Sequence, residues 1–316
     1  MKTLTRRNFV RLAAASATVA ALPLLAQPSA KRKMTMALVG GAIGVNVRSQ
    51  TALIALAHQH GFESVEARGE ELAKLSAGQI EALQSDMQSK GITWAAAGLP
   101  VDFRTDEDHF TSGMKDFPPI AAGLSRAGVT RLSTWVTPSS ATITYLQNFK
   151  QHARRLRQVA TVLKDNGIRF GLEYVGTKTS VASRKYPFVH TMAEMKDLIA
   201  EIGTGNVGFV LDSWHWWQAD DTAADILTLK NSDVVSVDLN DAPAGLAKDQ
   251  QLDNRRELPC ATGVIDASAF LNALNKIGYD GPVRAEPFNK PLNDLDNDPA
   301  CAATIAALKK AFALIQ

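Results

Sequence analysis

Eight short apolar runs, rich in small or β-branched residues, alternate with amphipathic stretches from Lys33 to the end of the chain, and this repetition restricts the fold more than any other feature. The candidate strands are Thr35–Val39, Ser64–Ala67, Thr93–Ala97, Arg131–Val136, Arg169–Tyr174, Gly208–Asp212, Val234–Leu239 and Pro282–Glu286. Gly61, Gly91, Gly128, Gly167, Gly203 and Gly278 each follow an amphipathic stretch and precede a strand, the place where a helix ends in a left-handed residue. The spacing of Leu146, Phe149, Ala153, Leu156, Ala160 and Leu163 predicts a helix over Tyr145–Asn166 with one apolar face on the sheet. Cys301–Ile315 is predicted to be the closing helix. With no linker, low-complexity tract or second domain, the pattern predicts a single-domain α/β fold, a (β/α)8 TIM barrel over residues 31–316.

An open doubly wound sheet would also alternate strands and helices, but it becomes attractive only with a phosphate-binding turn. The glycine-rich Val39-Gly40-Gly41-Ala42-Ile43-Gly44 lacks the G-x-G-x-x-G spacing, and no acidic residue follows at the required distance. Dinucleotide binding is therefore not expected.

Residues 1–30 stand apart from the repeat. Thr5-Arg6-Arg7-Asn8-Phe9-Val10 sets two adjacent arginines before the apolar run Leu12–Ala26, as in a twin-arginine signal peptide. A bilayer-spanning helix needs about 20 apolar residues, and this run is shorter, so no stable membrane anchor is expected. Cleavage after Ala26 or Ala30 would release the barrel. The expected partner is the twin-arginine export machinery, and the expected destination is the periplasm.

The 34 basic residues nearly balance the 32 acidic ones, and several of the basic residues lie in the signal, so there is no basic field for nucleic acid. Cys260 and Cys301 are too few for a disulfide scaffold in a chain this long. One bridge or two free thiols both remain open.

Active sites of (β/α)8 barrels sit at the C-terminal ends of the strands. Four carboxylates interrupt apolar strands there: Glu173 after Phe170-Gly171-Leu172, Asp212 after Phe209-Val210-Leu211, Asp238 within Val235-Ser236-Val237-Asp238-Leu239, and Glu286 after Val283-Arg284-Ala285. Four like charges at one barrel mouth would repel and raise each other's pKa unless a cation neutralised them, which points to one bound divalent metal. Oxygen ligands favour manganese or magnesium over cobalt or zinc. Strand parity puts Asp238 on the inner face with Ser236 and Asn240, while Asp241 points the other way but stays a second candidate. Arg169, Arg284 and Glu66 share the inward parity and are expected to form a structural polar layer by pairing arginine with glutamate.

Gly171-Leu172-Glu173-Tyr174-Val175-Gly176, Leu211-Asp212-Ser213-Trp214-His215, Val237-Asp238-Leu239-Asn240-Asp241-Ala242-Pro243 and Ala285-Glu286-Pro287 together resemble the xylose-isomerase-like TIM barrels, the sugar isomerase/epimerase superfamily. That family holds one divalent ion with a glutamate, an aspartate, a histidine and a second glutamate. Glu173, Asp212 and Glu286 match residue by residue, whereas Asp238 occupies the histidine position. The resemblance also implies substrate contacts by His215 and by an arginine after the seventh strand, for which Arg255 and Arg256 are both candidates. Trp214, Trp216 and Trp217 cluster beside His215, where an aromatic face, Trp214 first, could stack on a sugar ring.

The activity implied is isomerisation or epimerisation of a keto-sugar through an enediolate, with Glu173 and Glu286 as the proton-transferring pair. An exported enzyme is expected to meet an unphosphorylated carbohydrate. The same apparatus would expel a leaving group β to the carbonyl, so a lyase or hydratase acting on 3-keto-glycosides is the alternative. A non-catalytic, metal-dependent carbohydrate-binding protein is a third reading. A homo-oligomer is compatible with all of them. Barrel nuclease chemistry is disfavoured, because the six histidines are scattered from His58 to His215 and no basic groove is apparent.

Overall fold

A computed structural model describes residues 32–316, so the signal expected over residues 1–30 lies outside the described residues. Eight parallel strands close into a barrel: β1 Thr35–Leu38, β2 Ser64–Ala67, β3 Thr93–Gly98, β4 Arg131–Val136, β5 Arg169–Tyr174, β6 Val207–Asp212, β7 Val234–Leu239 and β8 Pro282–Ala285. Each pairs with its neighbours in sequence, and β1 closes on β8 through Thr35↔Pro282 and Ala37↔Arg284. No helix among the described residues is long and apolar enough to cross a membrane.

The connecting helices form where the periodicity predicted them. Tyr145–Asp165 begins in a capping box in which the Thr144 amide donates to Gln147 Oε1 at 3.0 Å. It buries Leu156, Val159 and Leu163 against the sheet, each worth roughly 1.5–3 kcal/mol of removed apolar surface. The helix then stops before Gly167, whose φ of 71° would strain any residue carrying a Cβ. The other five stop glycines likewise take positive φ.

The closing helix runs Asn297–Phe312 and not Cys301–Ile315. Its first turn holds Asp298 and Pro299, and proline is tolerated there because the amide it lacks has no helical partner. Cys260 and Cys301 are both free thiols, which resolves the open question of a bridge. A two-residue antiparallel ladder, Ser139–Ser140 with Tyr186–Pro187, joins the loops after β4 and β5 and was not foreseen.

Two register features set the geometry of the mouth. A bulge between Phe209 and Val210 lets β7 slip by one residue, so that Val210 pairs with Ser236 and Asp212 with Asp238. Further along, Asp238 pairs with Arg284. Asp212, Asp238 and Arg284 therefore form one row across β6, β7 and β8. Glu286 lies just past β8, because its amide donates to the Asn240 side chain (2.8 Å) and Pro287 follows.

Candidate divalent-metal site

The four carboxylates expected from sequence converge. Glu173, Asp212, Asp238 and Glu286 each offer an oxygen within 4.8 Å of the others, and a second grouping replaces the last two with His215. Asp212 ends β6 and caps the helix Ser213–Gln218, its Oδ1 accepting from the Trp214 amide at 2.7 Å. The same Oδ1 accepts from Asn240 Nδ2 at 3.0 Å. Asn240 thus ties Asp212 to Glu286, while Ser213 Oγ and the Asn240 backbone exchange hydrogen bonds of 2.8 and 3.0 Å. Parity had put Asn240 on the inner face; its linking role needed the three-dimensional neighbours.

Two arginines enter the cluster. Arg256, buried in the loop after β7, donates through Nη1 to Asp212 Oδ2 at 2.7 Å and through Nη2 to Asp253 Oδ1 at 2.7 Å. Its Nη1 also lies 3.4 Å from Glu286 Oε2. Arg284 binds Asp238 through two bonds of 2.6 and 2.7 Å and reaches Glu286 Oε1 at 2.7 Å. The expected layer of arginine paired with glutamate is thereby corrected. Arg284 pairs with the cluster, whereas Arg169 donates to the carbonyls of Asn231, Ser232 and Val234, and Glu66 accepts from the Gly40 amide. A cavity of 60 Å³ beneath the cluster is lined by Glu66, Ser133, Ser236 and Arg284.

Burial is the first cause of the shifted titrations. It raises Glu173 well above the usual carboxylate range, and Glu286, Asp238 and Asp212 push the same way. Glu286 is raised to about 7 by burial, against the opposing pull of Arg284. Asp212 rises to about 6 by burial, with Arg256 opposing. His215 falls to about 3 through burial and the adjacent Arg256 guanidinium. Its ring is neutral: Nε2 accepts from Arg256 Nη2 at 3.2 Å, which leaves the proton on Nδ1, facing Thr177 Oγ1 at 3.4 Å.

A divalent cation fits this donor set. Glu173 Oε1 is buried without a hydrogen-bond partner among the described residues, and it lies among oxygens of three other carboxylates. The two guanidiniums offset two of the four negative charges, leaving the charge that one divalent ion would cancel.

The substrate-side expectations divide. Of the two candidate arginines, Arg256 points into the cluster, while Arg255 is exposed and lines a surface cavity of 640 Å³ with Phe288 and Pro291. Trp214 cannot serve as a stacking face: it is 0% exposed, and its Nε1 donates to Thr177 Oγ1 at 2.9 Å. Trp216 is buried as well. Asp241 is not a ligand candidate, because its carboxylate accepts from the amides of Ala242, Thr262, Gly263 and Ile265 and so holds the loop after β7.

An exposed aromatic side chain beside Glu173 is instead Trp135, which strand parity alone had not brought forward. It is the Cα partner of Glu173 on β4 and is 52% exposed, with the Arg104 guanidinium stacked 3.8 Å from its ring centre. Strand parity was the available signal, since Arg131, Ser133 and Trp135 pair with the inward-facing Arg169, Gly171 and Glu173. A second cavity of 640 Å³, lined by Arg48, Glu66, Arg68, Gly98 and Leu99, opens over β2 and β3.

A closed eight-stranded barrel with an acidic cluster that could hold a cation at the C-terminal ends of its strands defines the class: (β/α)8 TIM barrels. Within it, the chain belongs to the xylose isomerase-like TIM barrel family, whose profile matches residues 54–311. It is similar to the inosose isomerase of Bacillus velezensis, 29% identical over 145 residues, covering 44% of this chain and 46% of that protein. A 3-dehydroshikimate dehydratase of Pseudomonas aeruginosa is 31% identical over 136 residues, covering 42% of this chain and 20% of that protein. The chain thus spans less than half the length of either of these curated relatives. Among solved structures, a xylose isomerase domain protein from Alicyclobacillus acidocaldarius superposes with a TM-score of 0.77 at 31% identity, covering 89% of this chain and 99% of that one.

Proposed function

We propose that this protein is a metal-dependent isomerase or epimerase of an unphosphorylated keto-sugar. The observation that carries the reading is the pair of glutamates, Glu173 and Glu286, which reach one centre from the ends of different strands with pKa values raised above the usual carboxylate range by burial. Glu173, Asp212 and Glu286 would hold the cation, with manganese or magnesium favoured by their oxygen chemistry. When bound, the cation supplies a Lewis acid that polarises the substrate carbonyl.

The chain's own residues do the rest. One glutamate takes the proton α to the carbonyl and the other returns one to the resulting enediolate from the opposite face; returned to the same carbon, it inverts that centre. His215 and Arg256, both expected as substrate contacts, have their ring nitrogens and guanidinium N–H groups engaged by each other and by Thr177, Asp212, Asp253 and Glu286, so they brace the acidic pair, while Trp135 can cover a sugar face. The buried, guanidinium-braced walls keep the acidic pair from bulk water.

The similarity to a 3-dehydroshikimate dehydratase supports a second reading, β-elimination by the same pair on a 3-keto-glycoside or a keto-acid. The deciding experiment incubates manganese-loaded protein with ketohexoses and 3-keto-glycosides in deuterated water. Deuterium on the α-carbon with the carbon–oxygen bonds intact supports epimerisation, and loss of the β-substituent supports the lyase. No label with either class would overturn both and leave metal-dependent carbohydrate binding.

The arginine pair in the N-terminal run supports twin-arginine export to the periplasm after folding, with the metal acquired in the cytoplasm. Elemental analysis of protein recovered from the periplasm should return about one manganese per chain; stoichiometric zinc would count against the oxygen-ligand argument.

A further inference from the structure

We infer that Arg284 withholds Asp238 from the cation, so that the metal is held by Glu173, Asp212 and Glu286 while Asp238 and Arg284 act as a built-in neutral pair positioning Glu286. This rests on the metal reading given above. Four carboxylates converge, but they are not equivalent. Asp238 is 0% exposed, and both its oxygens are taken by one guanidinium, at 2.6 and 2.7 Å. That is the planar, two-bond geometry in which arginine binds a carboxylate most tightly.

The pairing is imposed by the sheet. Arg284 and Asp238 are Cα partners on neighbouring strands, with both side chains on the inner face, so their heads meet laterally without leaving the strand register. Arg284 then reaches Glu286 Oε1 at 2.7 Å, two residues on along the same face. One cation-bearing side chain thus binds an acid on each side of it.

Glu173 presents the opposite case. Its Oε1 is buried with no hydrogen-bond partner among the described residues, and it lies 3.8 Å from Nε2 of the neutral His215 ring. Asp212 gives one oxygen to Arg256 and the other to Asn240 and the Trp214 amide. The arginine contact to Asp212 is a single bond, so a metal can share that carboxylate, whereas metal at Asp238 would have to displace both bonds of a bidentate pair.

The test is manganese binding to the purified full chain, by calorimetry and by the spin-resonance spectrum of the bound ion, with the unfolding temperature of the metal-free protein as a folding control. Asp238→Asn combined with Arg284→Gln keeps the cluster charge unchanged, and is expected to bind one manganese with the same spectrum at an affinity reduced by no more than about tenfold, the lower end of what losing an outer-shell partner costs. Arg284→Gln alone removes a positive charge and frees Asp238, and should bind manganese about tenfold more tightly even though the metal-free protein is less stable. A purely structural role would weaken binding in that variant. Glu173→Gln removes a ligand and should lose at least about 100-fold, beyond what loss of an outer-shell partner costs.

A folded double variant that loses manganese as Glu173→Gln does, or an Arg284→Gln that binds more weakly, would overturn the inference while leaving the metal site standing. A wild-type chain that takes up no manganese, magnesium, cobalt or zinc would overturn the metal reading and this inference with it.

Discussion

Asp212 and Asp238 are Cα partners on adjacent strands, two buried carboxylates side by side, each gripped by a different arginine. Neither arginine neutralises the unpartnered Glu173, and this residual repulsion is what a cation would relieve. Saturating chelated protein with manganese at about 100 times Kd should add about 2.7 kcal/mol of stability. For a chain of this size that is a rise in Tm of roughly 4–5 °C. Differential scanning with and without chelator measures it, and an unchanged Tm would remove the argument for a bound ion.

The raised carboxyl pKa values give this effect a pH dependence of known sign. Glu286 near 7 and Asp212 near 6 lie above the ordinary carboxylate values of 4.5 and 3.8, so the metal-free fold holds their protons more tightly than the unfolded chain does. Their contribution to stability is therefore present at low pH and lost as pH rises from the unfolded through the folded pKa, on the order of a few kcal/mol in all. Metal binding needs the ionised forms, so manganese affinity should run the other way, falling as pH drops below about 7 by about tenfold per unit for each ligand carboxylate that must lose its proton, and so more steeply below about 6. Calorimetric titrations at several pH values check the sign; affinity independent of pH would sink it.

Arg256 and Arg255 are adjacent in sequence and opposite in consequence. Arg256→Met strands Asp212 as an uncompensated buried charge and should cost about 3–5 kcal/mol in the metal-free protein. Arg255→Met, at an exposed position, should stay within about 0.5 kcal/mol. Urea denaturation of the two variants side by side distinguishes them.

Trp135 and Trp214 make a similar contrast on the substrate side. Trp135→Ala removes an exposed face beside Glu173 and should raise KM roughly fivefold with little change in kcat, the loss of about 1 kcal/mol of stacking. Trp214→Phe deletes the buried bond to Thr177 and should instead cost about 1 kcal/mol of stability and leave KM alone. The reverse pattern would restore Trp214 as the sugar platform.

Asp241 offers a test outside the cluster. Asp241→Ala leaves the amides of Ala242, Thr262, Gly263 and Ile265 without their side-chain acceptor and should cost about 3–4 kcal/mol in total. The loop after β7 should then show faster amide exchange with manganese stoichiometry retained. Loss of the metal in a folded variant would make Asp241 a ligand after all.

Much of this was legible along the chain because the relevant signals are local. Eight apolar runs and six terminating glycines are read residue by residue, and they returned the barrel with most strand limits within one residue. Strand parity likewise chose Asp238 over Asp241 for the inner face, since neighbouring side chains alternate across a strand whatever it pairs with. Helix limits were less secure: the closing helix starts at Asn297, where Pro299 in the first turn disguises the onset.

What only the tertiary structure decided is who stands beside whom. The row of Asp212, Asp238 and Arg284 depends on a one-residue slip near Val235, and register across strands is a property of the closed sheet, not of any one strand. The same holds for Arg256, brought to Asp212 from a loop 44 residues away, and for Trp135, whose neighbour Glu173 lies on the next strand. By itself the sequence determined a barrel with four acids at its mouth. Which acid is already satisfied by a guanidinium, and which is left for a cation, follows from distances that exist only once the barrel has closed.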